Sequence, residues 1–106
     1  MDIEEVKKEI TEILKEELKD IKCSAFFFGS RVTGTATERS DIDVGLECFD
    51  NVDDSKKSAP IPVNIFSKIR SRCEAIRTLY SIDVVDFFYL NDDFKKVAKV
   101  KVIEII

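Results

Sequence analysis

Asp41 and Asp43, separated by one isoleucine, are the residues of this chain best suited to chemistry. Side chains alternate along an extended segment, so carboxylates at i and i+2 project from the same face. Without a cation they repel each other, which a merely structural strand has no use for. Together they suit a hard divalent cation such as Mg2+, whose preferred donors are carboxylate and phosphate oxygens. Ten residues separate Asp41 from Gly29-Ser30, where the apolar run Phe26-Phe27-Phe28 stops. A small-residue turn after a strand lets backbone N–H groups approach phosphate oxygens. A phosphate turn beside a metal pair suits metal-dependent nucleotidyl transfer, in which positioning and electrostatics supply most of the acceleration.

Composition narrows the alternatives. The chain has no histidine, which removes Ser-His-Asp and Cys-His catalysis and any His-rich zinc site. A general base must then be a carboxylate, a lysine or a tyrosine. The net charge of −4 argues against a dedicated nucleic-acid binder, which needs a basic surface. No apolar run reaches the roughly twenty residues needed to span a bilayer, and the acidic, amphipathic N-terminus is no leader peptide, so no membrane association and a cytoplasmic location are expected. Cys23, Cys48 and Cys73 are odd in number and widely spaced, and read as small core residues without a disulfide framework. At 106 residues, one domain spanning 1–106 is expected, too small to hold an elaborate acceptor site of its own.

The elements that must carry these groups follow from periodicity. Ile3, Val6, Ile10, Ile13, Leu14, Leu18 and Ile21 recur at helical spacing, predicting an amphipathic helix over about 2–20. Residues 22–28 read as a strand, with Phe26 and Phe28 on one face and Phe27 on the other. Residues 29–40 read as a polar turn, and 41–47 as a half-buried strand with Asp41, Asp43 and Glu47 on its polar side. The stretch 48–62 is polar, ends in two prolines and reads as a loop, with Asp53-Asp54 solvated. A second helix is predicted over 63–81, with Phe66, Ile69, Cys73, Ile76 and Tyr80 as its apolar stripe. Its Lys68, Arg70, Arg72 and Arg77 lie off that stripe, as solubilising groups or as contacts for an acidic partner or a triphosphate. A third strand is predicted over 82–90, and alternation puts its Asp83 and Asp86 on opposite faces. At most one of them can join Asp41 and Asp43. Asn91-Asp92 signals the start of a short helix to about Lys99, and 100–106 alternates weakly, as either a short edge strand or a partner-facing end would.

The run Gly29-Ser30-Arg31, then Gly34, Ala36 and Ser40-Asp41-Ile42-Asp43, resembles the signature of the DNA polymerase β-like nucleotidyltransferase superfamily. It looks most like the minimal nucleotidyltransferases, or MNT proteins. With the strand from Ile82 and the segment Phe94-Lys95-Lys96-Val97-Ala98, the resemblance covers nearly the whole chain. It implies an α/β (α+β) fold: a small mixed β-sheet with helices packed mainly on one face. It implies Asp41, Asp43 and Asp83 as catalytic and metal-binding carboxylates, because Ile82-Asp83-Val84-Val85 matches the strand that carries the family's third carboxylate, with Asp86 the alternate. Gly29, Ser30 and Arg31 are implied as the triphosphate-binding residues. Thr33 departs from the pattern, since many relatives carry a second basic residue there.

The implied activity is Mg2+-dependent transfer, with two ions, of AMP from ATP or of another nucleoside monophosphate from its triphosphate, onto a hydroxyl. Small members of the family pair with helical HEPN proteins as toxin–antitoxin systems, and the resemblance implies a tyrosine of such a partner as acceptor. Small size separately requires an acceptor supplied by a partner or a second copy, as in a homo-oligomer. Two rival readings use the same fold: a module that neutralises its partner by contact alone, and a nucleotide sensor.

Overall fold

The computed structural model describes residues 3–28, 42–52, 55–78, 80–98 and 102–106, with the backbone alone for 50–52 and 55–57. Helix α1 spans Ile3–Glu17, and Val6, Ile10, Ile13 and Leu14 form its buried stripe. Glu4 and Glu5 in its first turn and Lys15 in its last suit the helix dipole. Strand β1, Cys23–Phe28, is followed after residues 29–41 by β2, Ile42–Val52, which pairs antiparallel to it. Strand β3, Ser55–Ala59, folds back antiparallel on the far half of β2. Helix α2 spans Val63–Glu74, β4 spans Ile82–Asp86, a 3-10 turn covers Phe87–Tyr89, helix α3 spans Asp92–Ala98, and β5 is the pair Ile103–Glu104.

β2 is the axis of the sheet. The order is β3-β2-β1-β5, and β4 also pairs with β2, in parallel. β1 and β4 both pair with residues 43–46 of β2 and therefore occupy its opposite edges. Cys48 pairs with Cys23 of β1 and with Ala59 of β3, so β3 follows β4 along the same edge. The sheet is mixed, as expected for an α/β (α+β) fold, and α1 and α2 cover one face.

That covered face holds the aliphatic core. Ala25 and Phe27 of β1, Ile42, Val44 and Leu46 of β2, and Val84 of β4 meet Val6, Ile10 and Leu14 of α1 and Ile69 and Cys73 of α2. Fully burying an aliphatic side chain of this kind contributes about 1.5–3 kcal/mol. Arg72 of α2 ties the two helices through Glu16 (2.8 Å) and Glu17 (3.1 Å) of α1. The opposite face carries a smaller aromatic cluster of Phe26, Phe28 and Phe87. Phe27 thus points away from its two neighbours, as strand alternation requires. β1 is buried along Ala25–Phe28 because both faces are covered.

Four expectations are corrected. The segment 48–62 is largely not a loop: β2 runs on to Val52 and pairs with β3. β3 reads Ser-Lys-Lys-Ser-Ala, with no apolar alternation to announce it, and backbone pairing alone makes it a strand. Asp53 and Asp54 lie outside the described residues. The second helix ends at Glu74 rather than Ser81. Beyond it the Thr78 hydroxyl accepts a hydrogen bond from Tyr80 N (3.1 Å), a local side-chain contact that competes with helix continuation. The third strand stops at Asp86, whose carboxylate accepts from Phe88 N (3.0 Å) and opens the 3-10 turn. Finally, Cys23 and Cys48 are disulfide-bonded, and Cys73 is the free, buried cysteine.

Two expectations near the C-terminus hold. Asn91 Oδ1 accepts from Phe94 N (2.7 Å), capping α3. β5 adds an edge strand to β1, with Phe26 opposite Glu104 and Phe27 opposite Ile103.

Candidate active site

Register brings the carboxylates together. β4 pairs in parallel with β2 so that Asp83 is the partner of Asp43, and on the other edge Phe28 of β1 is opposite Asp43. Partners on adjacent strands share a face and lie about 4.8 Å apart. Asp43 and Asp83 therefore stand side by side on the face that α1 and α2 leave uncovered. Asp43 is half-buried and Asp83 exposed. Glu47, also half-buried, is on the same side of β2 four residues further on.

Asp86 is placed otherwise. It is the register partner of Leu46, on the helix-covered face, and is 7% exposed. Its Oδ2 accepts from Ile61 N (3.1 Å) and its Oδ1 from Phe88 N (3.0 Å). Both oxygens thus hold the exit of β4 and the chain leading into α2. Opposite faces for Asp83 and Asp86 follow from alternation, and the register with β2 tells which of them neighbours Asp43.

Asp41, Gly29, Ser30 and Arg31 lie outside the described residues. Their strands bracket them: β1 ends at Phe28, immediately before Gly29, and β2 begins at Ile42, immediately after Asp41. Among the described residues no group of three or more ligating side chains gathers. The described donors are two carboxylates in register, hard oxygen ligands that fit Mg2+ with phosphate oxygens or water completing its shell. Of the basic residues on α2, Arg72 is engaged by Glu16 and Glu17, and the Arg70 guanidinium lies 6.0 Å from the Phe66 ring.

One part of the site escaped sequence reasoning. Gly45 sits between Asp43 and Glu47, opposite Phe26 on β1 and Val85 on β4. A Cβ built there would lie 2.5 Å from Cε2 of Phe26 and 2.7 Å from Cε1 of Phe87. The Phe87 ring meets Phe26 edge-on at 4.9 Å and Phe28 at 5.2 Å between centroids. The Phe26 and Phe87 rings thus sit over a gap in β2 that only glycine leaves open, linking β1 to the residue that follows β4. An isolated glycine within an alternating strand is the signal that marks such a close approach.

An open groove of about 320 Å3 is lined by Ile61, Val63, Phe66, Val84, Val85 and Tyr89, among others. Val63 is 82% and Tyr89 72% exposed. Among the described residues no helix is long and apolar enough to cross a membrane.

The family model described as "Polymerase beta, Nucleotidyltransferase" matches residues 8–104, from within α1 to the end of β5. No curated protein matches the chain.

Proposed function

The chain belongs to the polymerase beta nucleotidyltransferase family, and on that premise we propose that it transfers AMP from ATP to a hydroxyl on a separate protein, releasing pyrophosphate. One observation carries the reading: Asp43 and Asp83 are register partners on the face of the sheet turned away from α1 and α2. Two carboxylates held side by side repel, and a bound divalent cation would offset that repulsion.

In this reading Asp41, Asp43 and Asp83 hold two Mg2+ ions, and Gly29, Ser30 and Arg31 take the triphosphate. The ions, when bound, supply charge neutralisation at the α-phosphate and the leaving pyrophosphate. The chain's own residues do the rest. Asp83, exposed beside Asp43, accepts the proton of the incoming hydroxyl. The hydroxyl oxygen bonds to the α-phosphorus, and the bond to the pyrophosphate oxygen breaks, that oxygen keeping the electron pair. The aromatic seat over Gly45 keeps β1, β2 and β4 at fixed separation while this happens.

The acceptor is a tyrosine of a helical HEPN-type partner. Support for a separate acceptor comes from the exposed Val63 and Tyr89 beside the apolar groove, which suit a docked protein rather than water. The decisive experiment combines the protein, labelled ATP, Mg2+ and the product of any neighbouring gene. Label on the partner, lost by about 10³-fold or more in Asp43→Ala, is the expected outcome. Full neutralisation of the partner by Asp43→Ala, with no label transferred by the wild type, would overturn transfer in favour of a contact-only module. ATP binding without label on any partner would favour a nucleotide sensor.

A further inference from the structure

Cys23 and Cys48 are neither distant nor idle. They are cross-strand partners at the open end of the β1–β2 ladder, whose other end is the pair Phe28 and Asp43. The ladder is closed at one end by residues 29–41 and at the other by the disulfide, across a sequence separation of 25. The covalent ring so formed contains Gly29, Ser30, Arg31, Asp41 and Asp43. Every candidate site residue except Asp83 is inside it.

We propose that Cys23 and Cys48 are a thiol–disulfide modification site, through which a low-molecular-weight disulfide/thiol couple sets the stability of the hairpin that carries Asp43. Cys23 is half-buried and Cys48 is 3% exposed, so the small reagent meets the Cys23 sulfur first. In the closing direction the Cys23 thiolate attacks a small disulfide and releases one thiol. The Cys48 thiolate then attacks the Cys23 sulfur of the mixed disulfide, forming the bridge and releasing the second thiol. Two protein thiols are oxidised and one small disulfide is reduced to two thiols. The opening direction is the reverse, driven by excess thiol.

Cys73 does not compete. It is 1% exposed, and burial pushes its thiol up to about 11, away from the reactive thiolate. The bridge acts mainly by shrinking the unfolded ensemble of the ring it closes. In a reducing compartment the pair rests open, and an oxidising shift closes it.

The test uses the full chain, treated in parallel with oxidised glutathione and with dithiothreitol. After denaturation and alkylation, the oxidised sample is expected to carry one alkylated cysteine, Cys73, and the reduced sample three. The oxidised form is expected to melt about 15 °C higher than the reduced form. Cys23→Ser/Cys48→Ser should melt with the reduced form and ignore dithiothreitol, whereas Cys73→Ser should keep the shift. Three alkylated cysteines in the oxidised sample, or coincident melting temperatures, would overturn the proposal. The consequence for catalysis rests on the transfer reading: between the two melting temperatures only the bridged form should label the partner. Absence of label from both forms at low temperature would count against transfer and not against the bridge, which stands or falls on thiol count and melting.

Discussion

The two faces of the sheet use the same strands for opposite purposes. On the face covered by α1 and α2, aliphatic side chains close over one another, and Asp86, the one charged residue buried there among the described residues, has both carboxylate oxygens engaged by backbone N–H groups. On the other face, three aromatic rings pack with Val85, Leu90, Ala98 and Val102, and on the same face two carboxylates stand in register. Asp83 and Asp86 bring the contrast down to a single strand. They are the same residue type three positions apart, and the pleat alone assigns one to the interior and the other to solvent. A carboxylate buried among hydrogen-bond donors serves the fold. The proposed transfer calls on the carboxylate exposed beside a second one.

The sharpest way to break that contrast is to exchange the consequences of the two residues. Asp83→Asn is expected to lower transfer by about 10³-fold while leaving stability within about 0.5 kcal/mol, because Asp83 is exposed. Asp86→Ala is expected to do the reverse. It leaves Ile61 N and Phe88 N without their acceptor, costing about 2–4 kcal/mol, while folded molecules keep near-normal transfer. Urea denaturation and labelled-ATP transfer, measured on both variants, give the four numbers. Equal loss of transfer in both, with Asp86→Ala fully folded, would mean that the two faces are not functionally distinct.

A second comparison pits equal burial on opposite faces. Ile10 and Phe87 are both 0% exposed. Truncation to alanine should cost about 2–5 kcal/mol at Ile10 and about 3–5 kcal/mol at Phe87 by cavity formation. Only Phe87→Ala should also weaken Mn2+ binding, measured by electron paramagnetic resonance well below its melting temperature. Phe87 packs on Phe26 and Phe28 across β2, whereas Ile10 contacts the side of the sheet that faces away from Asp43.

How far the sequence discloses these faces depends on what each element's residues can announce. The stripe of α1 and the alternation of Phe26, Phe27 and Phe28 are periodic, and periodicity is read directly from residue type. Asp83 and Asp86 can be assigned to opposite faces for the same reason, but the side that faces Asp43 is a property of strand pairing. Pairing also explains what was missed. Cys23 and Cys48 become neighbours only once Phe28 is set opposite Asp43, and β3 is a strand because β2 extends far enough to hold it. Its Ser-Lys-Lys-Ser-Ala offers no apolar pattern from which to infer that. The end of β4 at Asp86 is likewise a local competition, in which a side-chain acceptor captures Phe88 N and begins a turn amid residues with strong strand propensity.

The finest test of the contrast is one methyl group. Gly45 lies on the carboxylate face between Asp43 and Glu47, and its missing side chain is the space the Phe26 and Phe87 rings occupy. Gly45→Ala puts a Cβ into that space, and because both rings are packed against each other at 4.9 Å neither can retreat alone. Overpacking of this kind costs about 1–3 kcal/mol. If the seat serves only stability, the folded fraction of Gly45→Ala binds Mn2+ as the wild type does. If it also sets the separation of β1, β2 and β4, the ions meet displaced carboxylates and affinity falls by about tenfold, against an unchanged affinity in Ile10→Ala. Shortening one ring should then restore what the methyl removed, so Gly45→Ala/Phe26→Leu is expected to recover Mn2+ affinity before it recovers full stability. Recovery of stability without recovery of affinity would assign the aromatic seat to the fold alone and leave the register of β2 with β4 as the whole reason that Asp43 and Asp83 meet.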